Sequence, residues 1–159
     1  MPPPESLHAR IHVITLGVDD LERALAFYRD GLGLPSEGIT GTQYPGDDES
    51  PAGATAMFKL DDGLILSLYP RSELAKDAGV EAQSTSGSGV SIGHIVESRE
   101  AVDRVLHLAR RAGAQVLGPA HERPWGIYSG YFSDPDGHLW EVLYVLPPVA
   151  TSSRASSMP

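Results

Sequence analysis

Hydrophobic and polar positions near the start of the chain follow two patterns in succession. Residues 11–18 (IHVITLGV) are mostly apolar and β-branched, a composition that favours a β-strand. After Asp19 and Asp20, apolar residues recur at helical spacing. Asp19 with Glu22 three positions later is typical of a capping box. The pattern therefore predicts a strand and then a helix that ends close to Gly31.

The same succession returns in the second half of the chain. Residues 90–96 (VSIGHIV) form another apolar run, and Ser98 follows at a position suited to a helix cap. A stripe of apolar residues at helical spacing continues from there to Gly113, where the helix is expected to end. A second strand and a second helix are therefore predicted.

Each predicted helix is followed by two short strand-like runs that are joined by an Asp-Gly pair. The first pair is Asp62 with Gly63, and the second is Asp136 with Gly137. An Asp-Gly pair between apolar runs is a strong hairpin signal, because the tight turn needs positive φ angles that glycine adopts easily. One β-hairpin is therefore predicted in each half of the chain.

The spacing of these features indicates an internal duplication. The separation between the hairpin glycines Gly63 and Gly137 is nearly the same as the separation between the helix caps Asp20 and Ser98, so a small change in loop length explains the difference. The helix in each half covers one face of a sheet and leaves the other face free to curl. The predicted fold class is therefore α+β, with two tandem βαβββ modules that form a curved mixed sheet around a cavity.

The predicted domain organisation is one folded unit between two flexible tails. A length of 159 residues fits a single domain, and both ends of the chain are rich in proline or in small polar residues. The predicted segments are an N-terminal tail over 1–10, module 1 over 11–70, a linker over 71–89, module 2 over 90–146 and a C-terminal tail over 147–159.

Two irregular stretches carry no clear periodicity. Residues 71–89 end in STSGSG and are typical of a flexible connector, and residues 41–53 are rich in glycine, proline and aspartate. Long loops inside a compact domain are often functional, so each stretch is either a lid over the cavity or a solvated linker. The sequence leaves both alternatives open.

Strand alternation assigns side chains to the two faces of each predicted sheet. Successive residues of a strand point to opposite faces, and the larger apolar set should meet the helix. The positions assigned to the cavity side are Val13, Thr15, Gly17, Ser91, Gly93 and Ile95, and those assigned to the helix side are Ile14, Leu16, Val18, Ile92, His94 and Val96.

Composition narrows the partners and the compartment. No apolar run approaches the ~18 residues that a membrane span needs, and the opening MPPPE lacks the pattern of a secretory signal. The net charge of −9 with scattered basic residues argues against nucleic acid as a partner. The absence of cysteine excludes thiolate chemistry and is compatible with a reducing cytoplasm. We therefore expect a soluble, cytoplasmic protein without a nucleic-acid or membrane partner.

Two segments carry a resemblance to a known group of proteins. TLGVDDLERALAFYRDGLGL near the start and GYFSDPDGHLWEV near the end resemble the vicinal oxygen chelate (VOC) superfamily, over about residues 11–146. This superfamily includes glyoxalase I, bleomycin and fosfomycin resistance proteins and extradiol dioxygenases. The resemblance implies the glyoxalase/bleomycin-resistance fold, a small-molecule pocket and a homodimer with the pocket near its interface.

The resemblance also implies where a metal ion would be held. In that superfamily the ligands come from the first and last strands of each module, and these positions fall on Val13, Ser67, Ser91 and Glu141. Valine offers no donor atom and serine hydroxyls are poor ligands, whereas a divalent metal needs three or four donors. We therefore expect no metal and no other cofactor, which puts lactoylglutathione lyase and ring-cleaving dioxygenase activity in doubt.

Glu141 is the candidate catalytic residue, as a proton shuttle. Alternatively it anchors a ligand amine or hydroxyl, or simply forms a hydrogen bond to Ser67 or Ser91 across the pocket. Three aromatic residues before the last hairpin are suited to stacking on a planar ligand, although at least one of them is expected to pack in the core or at the dimer interface. The complete predicted ligand-binding set is Val13, Thr15, Ser67, Ser91, Trp125, Tyr128, Tyr131 and Glu141.

Other polar and aromatic residues have ordinary structural interpretations. His94 is expected in the core under the second helix, and so is Trp140. Asp134 and Asp136 are expected to accept backbone hydrogen bonds in their hairpin turn rather than to act in catalysis. Further candidates for the pocket rim are Tyr44 and Tyr69.

Three functions are compatible with these observations. The first is a metal-free binding or sequestration protein, similar to bleomycin-resistance proteins, that holds an aromatic or polycyclic metabolite in a cleft. The second is a metal-independent isomerase, lyase or cyclase with Glu141 as proton shuttle and a tyrosine as electrophile. The third is a metal enzyme with relocated ligands such as His94 and Glu141.

Overall fold

The computed structural model describes residues 7–83 and 89–148 of the chain, so the predicted tails and the STSGSG stretch fall largely outside the described residues. The strands are β1 (Val13–Val18), β2 (Ile39–Thr40), β3 (Thr55–Lys59), β4 (Ile65–Pro70), β5 (Ser91–Ile95), β6 (Gln115–Val116), β7 (His121–Arg123), β8 (Ile127–Ser133) and β9 (Leu139–Val145). The helices are α1 (Leu21–Leu25), which continues as a π-helical segment (Ala26–Gly31), α2 (Arg71–Ala78) and α3 (Arg99–Ala112).

The strands form two mixed sheets, one from each half of the chain. The first sheet has the order β1-β4-β3-β2, and the second has the order β5-β9-β8-β6 with β7 also paired to β8. In each sheet the first and last strands of the module are parallel neighbours, and the other pairs are antiparallel. The α+β class and the two βαβββ modules are therefore confirmed.

Strand pairing has the same register in both modules. Ser67 is paired with Thr15 on one side and with Met57 on the other. Its counterpart Glu141 is paired with Gly93 and Tyr131, which are the positions equivalent to Thr15 and Met57 in the repeat. Because paired residues share a face, each row of three residues faces the same side of its sheet.

The helix that follows the first strand of each module, α1 or α3, has a capped N-terminus. The Asp20 carboxylate accepts a hydrogen bond from the Arg23 amide at 3.0 Å, and the Ser98 hydroxyl accepts one from the Ala101 amide at 3.0 Å. The cap of α1 is thus Asp20, as assumed in the repeat spacing, and not Asp19, as the capping-box pattern predicted. Asp19 instead forms an ion pair with Arg71 of α2. Within the described ranges, no helix is long and apolar enough to cross a membrane.

The π-helical segment brings the first module against the second. Its wider turn carries Tyr28, whose ring centroid lies 6.0 Å from that of Phe58 in the first sheet and 5.9 Å from that of Trp140 in the second. At its end, a Cβ atom on Gly31 would lie 2.5 Å from the Cβ atom of Ala112 in α3. Only glycine allows this approach, so the segment fixes how the two helices pack.

The two modules share one hydrophobic core. Apolar side chains from the helix-facing side of both sheets and from the helices contact one another in a single cluster, and the burial of such side chains is the main stabilising contribution to folding. Its most buried large members are Val18, Tyr28, Phe58, Leu66, Leu68, Val102, Phe132 and Val142.

The segment predicted as a flexible linker over 71–89 contains a helix. Helix α2 begins directly after β4, ends at Gly79 with a φ of 70°, and packs against β1 and β4. It also holds the loop over 41–53, because Glu73 accepts a hydrogen bond from the Ala52 amide at 2.8 Å. The Tyr69 hydroxyl donates to the Ala52 carbonyl oxygen at 2.5 Å. Much of the predicted connector is therefore an ordered part of the fold.

Candidate functional site

Each sheet has a face toward the shared core and an outer face that points away from it. The first outer face is formed by Val13, Thr15 and Gly17 of β1 with Met57, Ser67 and Tyr69. The second outer face is formed by Ser91, Gly93 and Ile95 of β5 with Arg123, Tyr131 and Glu141. Six of the predicted ligand-binding positions are thus divided between the two outer faces.

The second outer face carries the densest set of functional groups. Glu141 is half-buried and lies beside Tyr131 on the neighbouring strand. Burial raises the pKa of the Tyr131 phenol, and the charge and hydrogen bonding of Glu141 raise this pKa further, while Arg123 acts in the opposite direction. The arrangement places a hydrogen-bond donor, a carboxylate and a guanidinium on one small surface.

Arg123 reaches this surface from β7. Its Nε donates a hydrogen bond to the hydroxyl of the fully buried Ser129 at 3.1 Å, and its guanidinium carbon lies 5.8 Å from the centroid of the Tyr131 ring. Sequence reasoning missed Arg123, because its position depends on the pairing of a three-residue strand with β8. Trp125 lies in the turn that follows Arg123 and is 71% exposed.

Tyr128 does not lie on the second outer face with Tyr131 and Glu141, although the sequence placed all three in the ligand-binding set. Its hydroxyl donates to a carboxylate oxygen of Asp103 in α3 at 2.8 Å, and the Arg99 guanidinium lies over its ring. Tyr128 and Tyr131 are three positions apart on one strand, and an odd separation sends side chains to opposite faces. Tyr128 therefore packs on the helix side.

His94 is exposed and is not the core histidine that the sequence predicted. It shares the helix side of the sheet with its partner Val142, but β5 is an edge strand and α3 packs over β8 and β9 instead. His94 also lies on the opposite side from Gly93, the neighbour of Glu141. The two predicted relocated metal ligands, His94 and Glu141, therefore do not converge.

The remaining predicted positions are further apart than the sequence implied. Ser67 is buried, whereas Val13 is 47% exposed and Ser91 is exposed. In the described part of the chain, neither serine forms a hydrogen bond with Glu141. The expected contact of Glu141 with Ser67 or Ser91 is therefore absent from these residues. Of the two rim candidates, Tyr44 is exposed and Tyr69 is buried.

A cavity of about 770 Å³ lies between β1, the start of β5 and α2. Its walls include Gly17, Leu74, Ile92 and His138, and the His138 Nε2 atom lies 2.9 Å from the Gly17 carbonyl oxygen. Thr15 is the one predicted ligand-binding residue that contributes to it. The cavity is therefore separate from the surface around Glu141.

A buried polar network at the module junction was missed in part. The Tyr28 hydroxyl donates to Asp134 at 2.6 Å, and the Trp140 indole N–H donates to the Tyr28 oxygen at 3.1 Å. Asp134 also accepts the amides of Asp136 and His138, which confirms its predicted role in the turn. Burial, followed by the Asp134 charge, raises the pKa of Tyr28 well above the usual tyrosine value.

One sequence signal for this network existed. The position equivalent to Asp134 in the first module is Leu60, since each lies three positions before the glycine of its hairpin turn. A carboxylate that replaces an apolar residue between two copies of a repeat indicates a contact made by one copy alone. Asp136 joins the same junction, since its carboxylate accepts the Asp19 amide at 2.9 Å and a guanidinium N–H of Arg23 at 3.1 Å.

Comparison with known proteins identifies the family. Residues 10–142 match the glyoxalase/bleomycin resistance protein/dioxygenase superfamily. The chain belongs to this superfamily. Among solved structures, it is similar to a glyoxalase-related enzyme from Fulvimarina pelagi, with a TM-score of 0.72 and 31% identity over 86% of this chain and 88% of that one.

Two further relatives of this glyoxalase superfamily member cover most of its length. A glyoxalase/bleomycin resistance protein/dioxygenase from Nocardioides has a TM-score of 0.70 and 25% identity, covering 92% of this chain and 89% of that one. The uncharacterized protein YraH of Bacillus subtilis (strain 168) is 28% identical over 136 residues, or 84% of this chain and 96% of its own. The resemblance stated from the two sequence segments is therefore confirmed.

The donor set of this superfamily member does not fit a metal ion at the positions that the resemblance implies. Val13 carries no donor, and Ser67 and Ser91 offer neutral hydroxyls on different sheets. Glu141 alone provides a charged ligand. Across residues 7–83 and 89–148, no three or more His, Asp or Glu side chains are grouped so that they could hold a metal.

Proposed function

We propose that this protein binds a small planar, aromatic or polycyclic, metabolite on its second outer face without a metal ion. The supporting observation is the juxtaposition of Glu141, Tyr131 and Arg123 on one face of the second sheet, with the exposed Trp125 in the turn that follows Arg123. An apolar aromatic surface with a few convergent polar groups is the usual composition of a small-molecule site. Binding would serve sequestration, as in the resistance proteins of the superfamily.

A metal-independent isomerase, lyase or cyclase is the second candidate. It is favoured by one observation, the cross-strand pairing of Tyr131 with Glu141, whose charge raises the pKa of the Tyr131 phenol. In such an enzyme Glu141 would accept a proton from the substrate, and Tyr131 would donate a hydrogen bond to a substrate oxygen that gains negative charge. Both functions use the same surface, so the fate of the bound molecule distinguishes them.

The first test is ligand binding by protein that has been dialysed against EDTA. We expect a planar aromatic acid, amide or phenol from a panel to raise the melting temperature, because a ligand that binds the native state stabilises it. Tyr131→Phe and Glu141→Gln should each weaken binding of that ligand about tenfold, since each removes a hydrogen bond. Tyr128 lies on the same strand but on the helix side of the sheet, so Tyr128→Phe should leave the affinity unchanged.

Two outcomes decide between the functions, and two others contradict the proposal. Recovery of the ligand unchanged supports sequestration, whereas a product that disappears in Glu141→Gln supports catalysis. Purified protein that carries stoichiometric zinc, nickel, manganese or iron contradicts the metal-free proposal. Equal effects of Tyr128→Phe and Tyr131→Phe on affinity would show that the site is not on this face.

We also propose that a second copy of the chain packs on the exposed apolar positions of the outer faces, next to the ligand site, and that the protein acts in the cytoplasm. The support for the homodimer is the apolar exposure of these faces, where Val13 is 47% and Ile95 is 67% exposed. Patches of this kind are typical of association surfaces. The composition without cysteine supports a reducing compartment.

Light scattering after size-exclusion chromatography tests the homodimer. We expect twice the chain mass of 17.0 kDa for the wild type and the single-chain mass for Ile95→Asp, because a buried unpaired carboxylate is costly. Leu108→Asp is the matched control, as Leu108 is an exposed apolar residue of α3 outside the outer faces. A monomeric wild type, or an Ile95→Asp variant that stays dimeric, would contradict this proposal.

A further inference from the structure

Arg123 is the one half-buried cation of the described residues without a carboxylate partner. Four Lys or Arg side chains are half-buried there, namely Arg29, Arg71, Lys76 and Arg123. The first three form ion pairs with Asp30, Asp19 and Glu73 at 2.9, 3.0 and 3.1 Å. A cation that is partly removed from water normally gains such a partner, because desolvation disfavours an uncompensated charge.

The contacts of Arg123 hold the guanidinium in place without neutralising it. Nε donates to the Ser129 hydroxyl at 3.1 Å and Nη2 donates to the Ser129 carbonyl oxygen at 3.4 Å. A guanidinium has five N–H groups, so three are left without a hydrogen bond within the described ranges. Because Ser129 is fully buried and the Tyr131 ring lies beneath the guanidinium, these donors are pre-positioned.

The opposite charges of Glu141 and Arg123 lie apart on the second outer face. Glu141 and Arg123 act on the Tyr131 hydroxyl with opposite effects on its pKa, and the two side chains do not form an ion pair with each other. A ligand that bridges them must present an acceptor anion to Arg123 and a hydrogen-bond donor or a polarised hydrogen to Glu141. The chain itself has a net charge of −9, so a cationic residue kept unpaired here is a specific feature and not part of a basic surface.

We propose that Arg123 is the anion anchor of this site and that the ligand is a small organic acid, with a planar body and a carboxylate or phenolate group. This inference rests on the proposed function, whose site it shares. The anion completes the hydrogen bonding of the guanidinium, in the paired geometry that arginine offers to a carboxylate. Glu141 then faces a part of the ligand that is remote from its acid group, so the two negative charges do not lie side by side.

Two probes that differ in one group, a carboxylate in one and a neutral amide in the other, test the anchor. 2-Naphthoate and 2-naphthamide have the same ring system, and their dissociation constants are to be measured by isothermal titration calorimetry at pH 7.5. For the wild type we expect 2-naphthoate to bind about tenfold more tightly than 2-naphthamide, because hydrogen bonds to a charged partner are the stronger ones. The preference should vanish in Arg123→Gln and survive in part in Arg123→Lys, which keeps the charge and loses the planar fork.

Arg99→Gln is the matched control. The Arg99 guanidinium also lies over a tyrosine ring, at 5.4 Å from the centroid of Tyr128, but on the covered side of the sheet and in an ion pair with Glu122. Its replacement should leave the preference for the acid intact. A preference that is equal in wild type and Arg123→Gln would overturn the anchor.

The amide separates failure of the anchor from failure of the proposed function. If both probes bind the wild type with equal affinity and Tyr131→Phe weakens both, the anchor is wrong and the aromatic site stands. If neither probe binds the wild type at millimolar concentration, both the anchor and the proposed site are contradicted. Loss of amide binding in Arg123→Gln to the same extent as loss of acid binding would show a structural role and would also overturn the anchor.

Discussion

Replacement of Asp134 by alanine is expected to lower the free energy of unfolding by about 3 kcal/mol, near the upper end for a single substitution. The carboxylate accepts three hydrogen bonds, from the Tyr28 hydroxyl and from the amides of Asp136 and His138. Its removal leaves the Tyr28 hydroxyl without its hydrogen-bond acceptor, and Tyr28 has no exposed surface. Buried polar groups that lose their partner retain the full cost of desolvation.

Chemical denaturation followed by circular dichroism measures this effect. Asp62→Ala is the control, because Asp62 accepts a single hydrogen bond, from the Leu64 amide, in the exposed turn of the other module. The control should lose less than about 1 kcal/mol. Equal losses in the two variants would show that the junction network contributes no more than an ordinary turn.

Phe132→Ala is expected to destabilise the fold by about 3–5 kcal/mol through loss of burial and formation of a cavity. The ring is 2% exposed and lies parallel to that of Trp140, with 5.9 Å between centroids. It also contacts Phe27 of the π-helical segment at a centroid distance of 6.4 Å. The substitution therefore weakens the contact between the modules as well as the core of the second.

Met57→Ala is the comparison that tests strand alternation. Met57 is one position from the fully buried Phe58, which is the counterpart of Phe132, and is itself 48% exposed on the first outer face. We expect a loss below about 1 kcal/mol, since little apolar surface is removed from water on folding. A midpoint shift for Met57→Ala as large as that for Phe132→Ala would contradict the assignment of faces.

The fold was predictable because local and repeated signals agreed. The caps at Asp20 and Ser98 and the two Asp-Gly turns are encoded by a few neighbouring residues, and their nearly constant spacing joined them into two modules. Gly63 and Gly137 have the same φ of 89°, as equivalent turn positions should. Short-range chemistry was sufficient for these features.

Features that depend on what covers a residue were not predictable in the same way. The phase of β5 was correct for His94, but no pattern in the sequence states that this edge strand lies beyond the reach of α3. Helix α2 was missed because its eight residues, RSELAKDA, include few apolar positions. In both cases tertiary neighbours decided the outcome, and these neighbours lie far away in the chain.

The candidate site was predictable as far as strand alternation reaches. Glu141 and Tyr131 are cross-strand neighbours in the last hairpin, a relation that follows from the turn between them. Tyr128 was misplaced because alternation was not applied between it and Tyr131. Arg123 could be placed only if residues 121–123 were known to form a further strand. These three residues have no hydrophobic pattern that predicts a strand.

The difference between Leu60 in the first module and Asp134 in the second has a consequence for the two halves as separate fragments. A carboxylate that depends on a phenol from the other half makes the halves chemically unequal, so neither can substitute for the other. A fragment with the second half alone would bury an acid without its phenol, and a fragment with the first half alone would bury a phenol without its acceptor. Two copies of either half therefore cannot rebuild this junction.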